Sequence, residues 1–211
     1  MKTELETKLR AMIATLDAKN ARLEGEVCGL KEQIEVLKHH PTLAAGLAGE
    51  RLISKLVRGK LTAFVCDHDV VTEKGKLLEI KRSNLSIKYQ KNGVLTHRWT
   101  WRHVLGNGGK KKFHRLILVG DVDGRYRKLY NDPKSPYVFF DLSRRTAERL
   151  MQKGREGREG VIQIITNPDR VTATGARELF CQFQTTLREL ERRYGDLTSP
   201  IRLLPRKELG K

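Results

Sequence analysis

Four charged residues in the first half of the chain have the types and spacing that metal-dependent hydrolysis requires. Glu79-Ile80-Lys81 places a carboxylate two residues from an ammonium group, Asp69 lies ten residues upstream, and Glu50 lies earlier still. Mg²⁺ prefers hard oxygen ligands and keeps several waters, so two or three carboxylates are enough to bind it. A bound divalent ion stabilises charge on a phosphate and makes a water more acidic. The pattern therefore favours hydrolysis of a phosphodiester.

The residues after Glu79 form a strongly basic span. Between Glu79 and Asp121 there is no acidic residue, but there are ten Lys or Arg, three His and both tryptophans. Cations of this kind neutralise the phosphates of nucleic acid. We predict DNA contacts from Arg82, Ser83, Asn84, Lys88, Arg98, Trp99, Arg102, Lys110, Lys111, Lys112 and His114.

The geometry of this span leaves two faces open. Residues 96–103 alternate as a strand, with Arg98, Thr100 and Arg102 on one face and the two tryptophans on the other. Either face could meet DNA. The segment from Gly106 to Lys112 is a glycine-rich loop that ends in a lysine cluster, and it is expected to contact the DNA backbone.

A helix and a hairpin must position the four charged residues. The helix is predicted from Thr42 to about Arg58, and Glu50 lies on its apolar stripe. The hairpin joins a strand at Phe64–Thr72 to a second strand at Leu77–Arg82. A three-residue loop or a bulge puts Asp69 opposite Lys81, on the face that Lys81 shares with Glu79, whereas a plain two-residue turn puts it on the other side. Asp67 would share a face with Asp69 and could replace it.

At these residues the chain resembles the PD-(D/E)XK nuclease superfamily, which includes restriction enzymes and Holliday-junction resolvases. The resemblance covers roughly residues 43–82: a helix with Ala48-Gly49-Glu50-Arg51, a strand with Asp69, and a strand with Glu79-Ile80-Lys81. It implies that Asp69, Glu79 and Ile80 hold Mg²⁺, that Lys81 orients and helps deprotonate the attacking water, and that Glu50 completes the acidic cluster. The sequence departs from the pattern at His68, which stands where the family often has proline.

The first forty residues have the pattern of a parallel coiled coil. Positions a and d of its heptads are expected to form the dimer interface: Leu9, Ile13, Leu16, Asn20, Leu23, Val27, Leu30, Ile34 and Leu37. β-branched residues at a with Leu at d favour two parallel strands, and a single Asn at a fixes their register. The flanking pairs Lys19 with Glu24 and Glu26 with Lys31 are attractive across such a dimer. A lone amphipathic helix that lies on its own domain is the alternative.

The distribution of charge supports a division at residue 40. The net charge is +17, yet residues 1–39 contain seven basic and seven acidic residues, so residues 40–211 carry 35 basic against 18 acidic. We predict a coiled-coil helix at 1–40 and a nuclease-like domain at 41–211. Further strands are expected at Leu116–Gly120, Tyr137–Asp141 and Val161–Thr166, with helices after Ser143 and at Thr174–Tyr194. The fold class is mixed α/β, with a restriction-endonuclease-like central sheet flanked by helices, as the resemblance implies.

The remaining features set the compartment and the partners. Cys28, Cys66 and Cys181 are odd in number and form no CxxC pair, so a reducing compartment is expected. The charged N-terminus is unlike a signal peptide and no long apolar run occurs, so we expect a cytoplasmic protein with no membrane partner. The predicted function is a homodimeric, Mg²⁺-dependent endonuclease that cleaves double-stranded DNA, most like a type II restriction enzyme. The alternatives are a structure-specific junction nuclease and a zipper-dimerised DNA-binding protein without catalysis.

Overall fold

The structure is a computed structural model that describes residues 2–38, 41–63, 66–89, 95–106, 109, 111–151, 160–172 and 174–195. The chain divides into two compact units, residues 1–44 and 45–211. The predicted division at residue 40 lies close to this boundary.

The first unit consists mainly of one long helix, α1 (Lys2–Lys38). Its heptad positions are exposed to solvent along most of the helix, with about half of each apolar side chain accessible. These exposed side chains are Leu9, Ile13, Leu16, Leu23, Val27, Leu30 and Ile34. Asn20 is exposed on the same helix, and the side chain of Leu37 lies outside the described part. A helix with such a row gains most of its stability from burial of its apolar face, and the described side chains of this row are exposed.

The second unit is built around a six-stranded mixed sheet. Its strands run in the order β1 (Lys60–Leu61), β2 (Val70–Val71), β3 (Leu77–Ser83), β6 (Arg115–Asp121), β7 (Tyr137–Ser143) and β9 (Gln184–Thr185). Only β3 and β6 are parallel; the other neighbours are antiparallel. A second, antiparallel sheet has the order β4 (Ser86–Tyr89), β5 (Leu95–Trp101) and β8 (Ile162–Ile165).

Helices complete the second unit: α2 (Pro41–Val57), which begins before the boundary, α3 (Arg144–Leu150), α4 (Thr174–Glu178) and α5 (Leu187–Tyr194). Ser143 caps α3 by accepting a hydrogen bond from the Thr146 amide, as its sequence predicts. These elements confirm the mixed α/β class. The single helix predicted for Thr174–Tyr194 is wrong, because Leu179–Phe183 is π-helical and β9 pairs with β7 before α5 begins.

Alternation along β6 separates two hydrophobic cores. Leu116 and Leu118 face the second sheet, whereas Ile117 and Val119 face α2 and α5. Period-two alternation in a strand that is apolar on both faces is the pattern of a buried central strand. The sheet is therefore covered on both sides.

Both tryptophans of β5 belong to the core that faces the second sheet. Trp99 is 0% exposed and Trp101 is 1% exposed, and their indole N–H groups donate to the carbonyls of Asp121 and Val119 at 2.9 and 3.0 Å. The predicted DNA contact of Trp99 is wrong, because its ring is enclosed by Phe140, Phe180 and Tyr130. The core side of β5 is thus the tryptophan face, and Arg98 and Thr100 occupy the opposite one.

The strand predicted at Phe64–Thr72 is shorter than expected. Only Val70–Val71 is a strand, and Phe64 and Val65 lie outside the described residues. β1, which the sequence did not predict, pairs with β2 at the sheet edge.

Among the described helices, none combines the length and the apolar character needed to cross a membrane.

Close packing of β6 against Trp99 predicts a stability effect at Gly120. A Cβ atom at Gly120 would lie 2.7 Å from two ring atoms of Trp99, so Gly120→Ala should lower the free energy of unfolding by about 1–3 kcal/mol through overpacking. Urea denaturation followed by tryptophan fluorescence measures the loss.

Gly124→Ala is the matched control, because nothing lies within 4 Å of the added Cβ atom there. It should leave stability unchanged or slightly higher. Equal stability of the two variants would contradict the packing described for Trp99.

Candidate active site

The hairpin between β2 and β3 sets the register of the predicted site. The amide of Thr72 donates to the carbonyl of Lys76 at 2.9 Å, which closes a three-residue loop whose Gly75 has a φ of +69°. This left-handed conformation suits glycine. The register pairs Val70 with Leu78, and the Asp69 amide donates to the Leu78 carbonyl at 3.0 Å. The structure therefore has the three-residue loop and puts Asp69 on the face of Glu79, but Asp69 lies beside Glu79 and not, as the sequence predicts, opposite Lys81.

Two carboxylates and two ammonium groups meet at this point. Lys81 Nζ lies 2.6 Å from Glu79 Oε1. Lys111 Nζ donates to both Glu79 oxygens, at 2.7 and 2.9 Å, and lies 3.5 Å from Asp69 Oδ1. A single cationic group therefore contacts both acids. Asp67, the alternative to Asp69, is exposed, and within the described part of the chain it has no such contact with Glu79, Lys81 or Lys111.

The main chain of Ile80 is part of the same arrangement. Its amide donates to Asp69 Oδ2 at 2.7 Å, and Asp69 lies just before β2 begins. The Asp69 side chain thus accepts a hydrogen bond from a part of β3 that β2 does not pair with. This contact fixes the carboxylate relative to Glu79, while a carbonyl of Ile80 as a metal ligand stays a prediction.

Burial dominates the electrostatics of Glu79. The residue is 0% exposed, and burial together with the charge of Asp69 raises the pKa of its carboxyl, which Lys81 and Lys111 oppose. Burial alone lowers the pKa of the Lys111 ammonium, but its hydrogen bond to Glu79 and the charge of Asp69 more than compensate, so the net shift is upward. A buried carboxylate of this kind requires its cations.

Glu50 on α2 joins the cluster electrostatically. Burial raises the pKa of its carboxyl to about 7, and the charges of Asp69 and Glu79 add to this shift while Lys81 and Lys111 oppose it. Its neighbour Gly49 packs directly against the Arg82 side chain on β3, where an added Cβ would lie 3.0 Å from the Arg82 Cβ. Glycine at this position permits the close approach of α2 that brings Glu50 near the other acids.

The donor set fits a magnesium ion in number and type. Among the described residues no group of three or more His, Cys, Asp or Glu side chains is placed to hold a metal. Mg²⁺ needs fewer, since one or two carboxylates and several waters satisfy it. Asp69 and Glu79 supply that pair, and the Lys111 ammonium shows that one cation reaches both of them.

Two more of the predicted DNA contacts, besides Trp99, have partners inside the fold. The Ser83 side chain is buried; its hydroxyl accepts from the Thr100 amide at 2.9 Å and donates to the Asn84 carbonyl at 3.0 Å, so its predicted DNA contact is wrong. The Arg82 guanidinium donates to Asp121 at 3.1 Å and lies 5.0 Å from the Tyr137 ring centroid. Arg82 therefore has partners within the protein.

The other predicted DNA contacts differ in their exposure. Asn84, Arg102, Lys112 and His114 are exposed, and Arg98 is half-buried. His114 Nδ1 accepts from the Leu77 amide at 2.9 Å, which leaves the other side of its ring to solvent. The side chain of Lys88 on β4 and all of Lys110 lie outside the described part of the chain.

Lys111 is the residue whose position the sequence did not predict. It was expected on a DNA-contacting loop, but it lies in the acidic cluster, 32 residues from Glu79. The only signal in the sequence was the lysine run after a glycine-rich segment, which does not indicate which lysine turns inward.

No protein-family model matches the chain, and a search of curated proteins found no match.

The raised pKa of Glu50 predicts how the metal-free protein responds to pH. Between the ordinary value of 4.5 and about 7, the folded protein keeps a proton that the unfolded chain has lost, so stability falls as pH rises through this window. Glu50→Gln should make that decline shallower. Urea unfolding at several pH values in a chelating buffer measures the slope.

Glu73→Gln provides the control, because Glu73 is an exposed residue of the hairpin loop. Its slope should match that of the wild type. If Glu50→Gln also keeps the wild-type slope, Glu50 does not share the electrostatic environment of Asp69 and Glu79.

Proposed function

We propose that the protein is a homodimeric, Mg²⁺-dependent endonuclease that hydrolyses phosphodiester bonds in double-stranded DNA. One observation carries the proposal: a single cationic group contacts both Asp69 and Glu79 while a second ammonium, that of Lys81, lies 2.6 Å from Glu79. Two acids that share a cation, with a lysine beside them, are the parts that metal-assisted phosphodiester hydrolysis needs.

Each residue has a distinct role in this proposal. Asp69 and Glu79, with the main chain of Ile80, would hold the ion, and the Ile80 amide keeps Asp69 in place. Lys81, whose side chain is 22% exposed, would orient the water that attacks phosphorus and assist its deprotonation. Glu50 would adjust the charge of the cluster. Bound Mg²⁺ would supply charge stabilisation at the phosphate and a more acidic water.

Charge supports DNA as the substrate. The excess of 35 basic over 18 acidic residues after residue 39 favours a polyanion, and the exposed Asn84, Arg102 and Lys112 are the described candidates to contact it. Arg98 and His114 could add to this surface. Contacts to phosphates would position the duplex, and contacts to base edges would give specificity.

The exposed heptad row of α1 supports the homodimer. Its occupant in this proposal is the same row of a second copy, since the pairs Lys19 with Glu24 and Glu26 with Lys31 attract across a parallel dimer. A two-fold dimer would present two identical active sites to the two strands of a symmetric DNA site. We propose on this basis a type II restriction enzyme with a restriction-endonuclease-like sheet, acting in the cytoplasm.

A second candidate is a zipper-dimerised DNA-binding protein without catalysis. The observation that favours it is the pairing of Glu79 with two lysines, because an acid compensated in this way can be purely structural. A junction-specific nuclease is the third candidate. Supercoiled plasmid, linear duplex and four-way junction DNA, each incubated with Mg²⁺, separate the three.

Substitution of Lys81 tests catalysis. Wild-type protein should cut plasmid DNA in Mg²⁺ and not in EDTA, and Lys81→Ala should cut at least about 100-fold more slowly because the attacking water loses the positive charge that orients it and favours its deprotonation. Gel quantification of cut plasmid gives the rates, and sequencing of the fragment ends shows whether the cuts share a sequence.

Lys74→Ala removes the same charge from the exposed hairpin loop and should cut like the wild type. Undiminished Mg²⁺-dependent cutting by Lys81→Ala would remove Lys81 from the mechanism. A salt-sensitive mobility shift with no cutting by any variant would favour the binding protein, and cutting limited to the junction would favour the structure-specific nuclease.

Substitution in the heptad row tests the dimer. Leu23→Lys should weaken dimerisation on the order of 100-fold or more, because two apolar side chains per dimer leave the seam and two charges enter it. Sedimentation equilibrium measures the dissociation constant. Ala21→Lys, on the outward side of the same helix, is the control and should remain dimeric; a monomeric wild type would contradict the homodimer.

A further inference from the structure

Lys111 places a second ammonium group where a divalent ion would have to bind. Its Nζ atom contacts both oxygens of Glu79 and also faces Asp69. With Lys81 on Glu79 Oε1 as well, Lys111 uses the lone pairs that Glu79 would offer to a metal. The ammonium and a metal ion held by Asp69 and Glu79 would therefore compete for the same carboxylate oxygens.

The main chain holds Lys111 in this position. Its amide donates to the Leu105 carbonyl at 3.1 Å, and its carbonyl accepts a hydrogen bond from the Arg144 guanidinium. Arg144 also donates to the Gly109 carbonyl at 3.1 Å, so one side chain of α3 fixes two points of this loop. The Lys111 backbone is thereby anchored to elements outside the acidic cluster.

A glycine makes room for the stem of Lys111. Gly106 has a φ of +70°, and a Cβ atom there would lie 2.5 Å from the Lys111 Cγ atom. Any side chain at Gly106 would displace the lysine stem as well as strain the backbone. The hydrogen bonds of its main chain and the space beside Gly106 indicate that the fold holds the Lys111 side chain in the acidic cluster.

We propose that Lys111 is a tethered counter-ion that neutralises Asp69 and Glu79 in the metal-free protein and is displaced when a divalent ion binds. This inference rests on the proposed metal-dependent function and adds a positioning residue to it. Because the Lys111 main chain is anchored, the displaced ammonium stays close to the cluster, where it adds a positive charge beside the phosphate of a bound substrate.

Competition of this kind predicts that removal of Lys111 strengthens metal binding. Lys111→Met keeps the stem and removes the charge, so it should bind Mg²⁺ on the order of 10-fold more tightly than the wild type. The metal-free variant should also melt at a lower temperature, because it leaves the buried Glu79 with one cation instead of two. Mg²⁺ should therefore raise the melting temperature more in the variant than in the wild type.

The measurements are isothermal titration calorimetry with MgCl₂ and thermal unfolding with and without Mg²⁺, on the full chain without DNA. Lys74→Met, which removes an exposed lysine, is the control and should match the wild type in both. A purely structural Lys111 would lower the melting temperature of the variant without tightening its metal binding.

The outcomes separate this inference from the proposed function. If Lys111→Met binds Mg²⁺ as tightly as the wild type or less tightly, the exchange is overturned, but the proposed metal-dependent function is not. Absence of Mg²⁺ binding in both proteins overturns the metal-dependent function, and the exchange with it. If Lys111→Met does not fold, Lys111→Arg decides: its guanidinium can hold a carboxylate through two hydrogen bonds, so it should bind Mg²⁺ less tightly than the wild type, and tighter binding overturns the exchange.

Discussion

The carboxylate of Glu79 is fully withdrawn from solvent, although it lies on a strand that borders a charged cluster. Removal of a carboxylate from water costs several kcal/mol even after the protein relaxes, and only close cations and hydrogen bonds compensate for it. Lys81 supplies one cation from the same strand and Lys111 supplies another from a distant loop. β3 and the loop that ends at Lys111 together meet this requirement.

The strand geometry of β3 explains how an apolar core and a charged cluster share one element. Leu78 and Ile80 enter the core that includes α2 and α5, while Glu79 and Lys81 point to the other face. The parallel neighbour β6 supplies apolar side chains on both faces, so β3 is supported without any contribution from its charged residues. The Ile80 amide donates to the Asp69 side chain just before β2 begins. At this position a side-chain oxygen replaces the backbone carbonyl that a longer β2 would supply.

Local patterns predicted the elements better than the contacts between them. The turn signal and charge spacing predicted β3, continuous apolar runs predicted β6 and β7, and Ser143 predicted the start of α3, because each depends on residues close in sequence. The place of Asp69 depended on the length of the hairpin loop, which the residue types alone left open. The inward turn of Lys111 depends on Arg144 and on a glycine beneath its stem, neither of which is near Glu79 in sequence. The predicted DNA contact of Trp99 was wrong because an abundance of basic residues does not show which face of β5 packs against the core.

The charges of the cluster connect Glu50 to the acids and lysines of β3 and its neighbours. Burial, together with the charges of Asp69 and Glu79, raises the pKa of the Glu50 carboxyl to about 7. Lys81 contacts Glu79, and Lys111 contacts both Glu79 and Asp69. A divalent ion added to this set would bring further positive charge into a poorly solvated place. Movement of the Lys111 ammonium away from the oxygen atoms of both acids would relieve part of that excess, so the two carboxylates would be compensated by an ammonium group in one state and by a metal ion in the other.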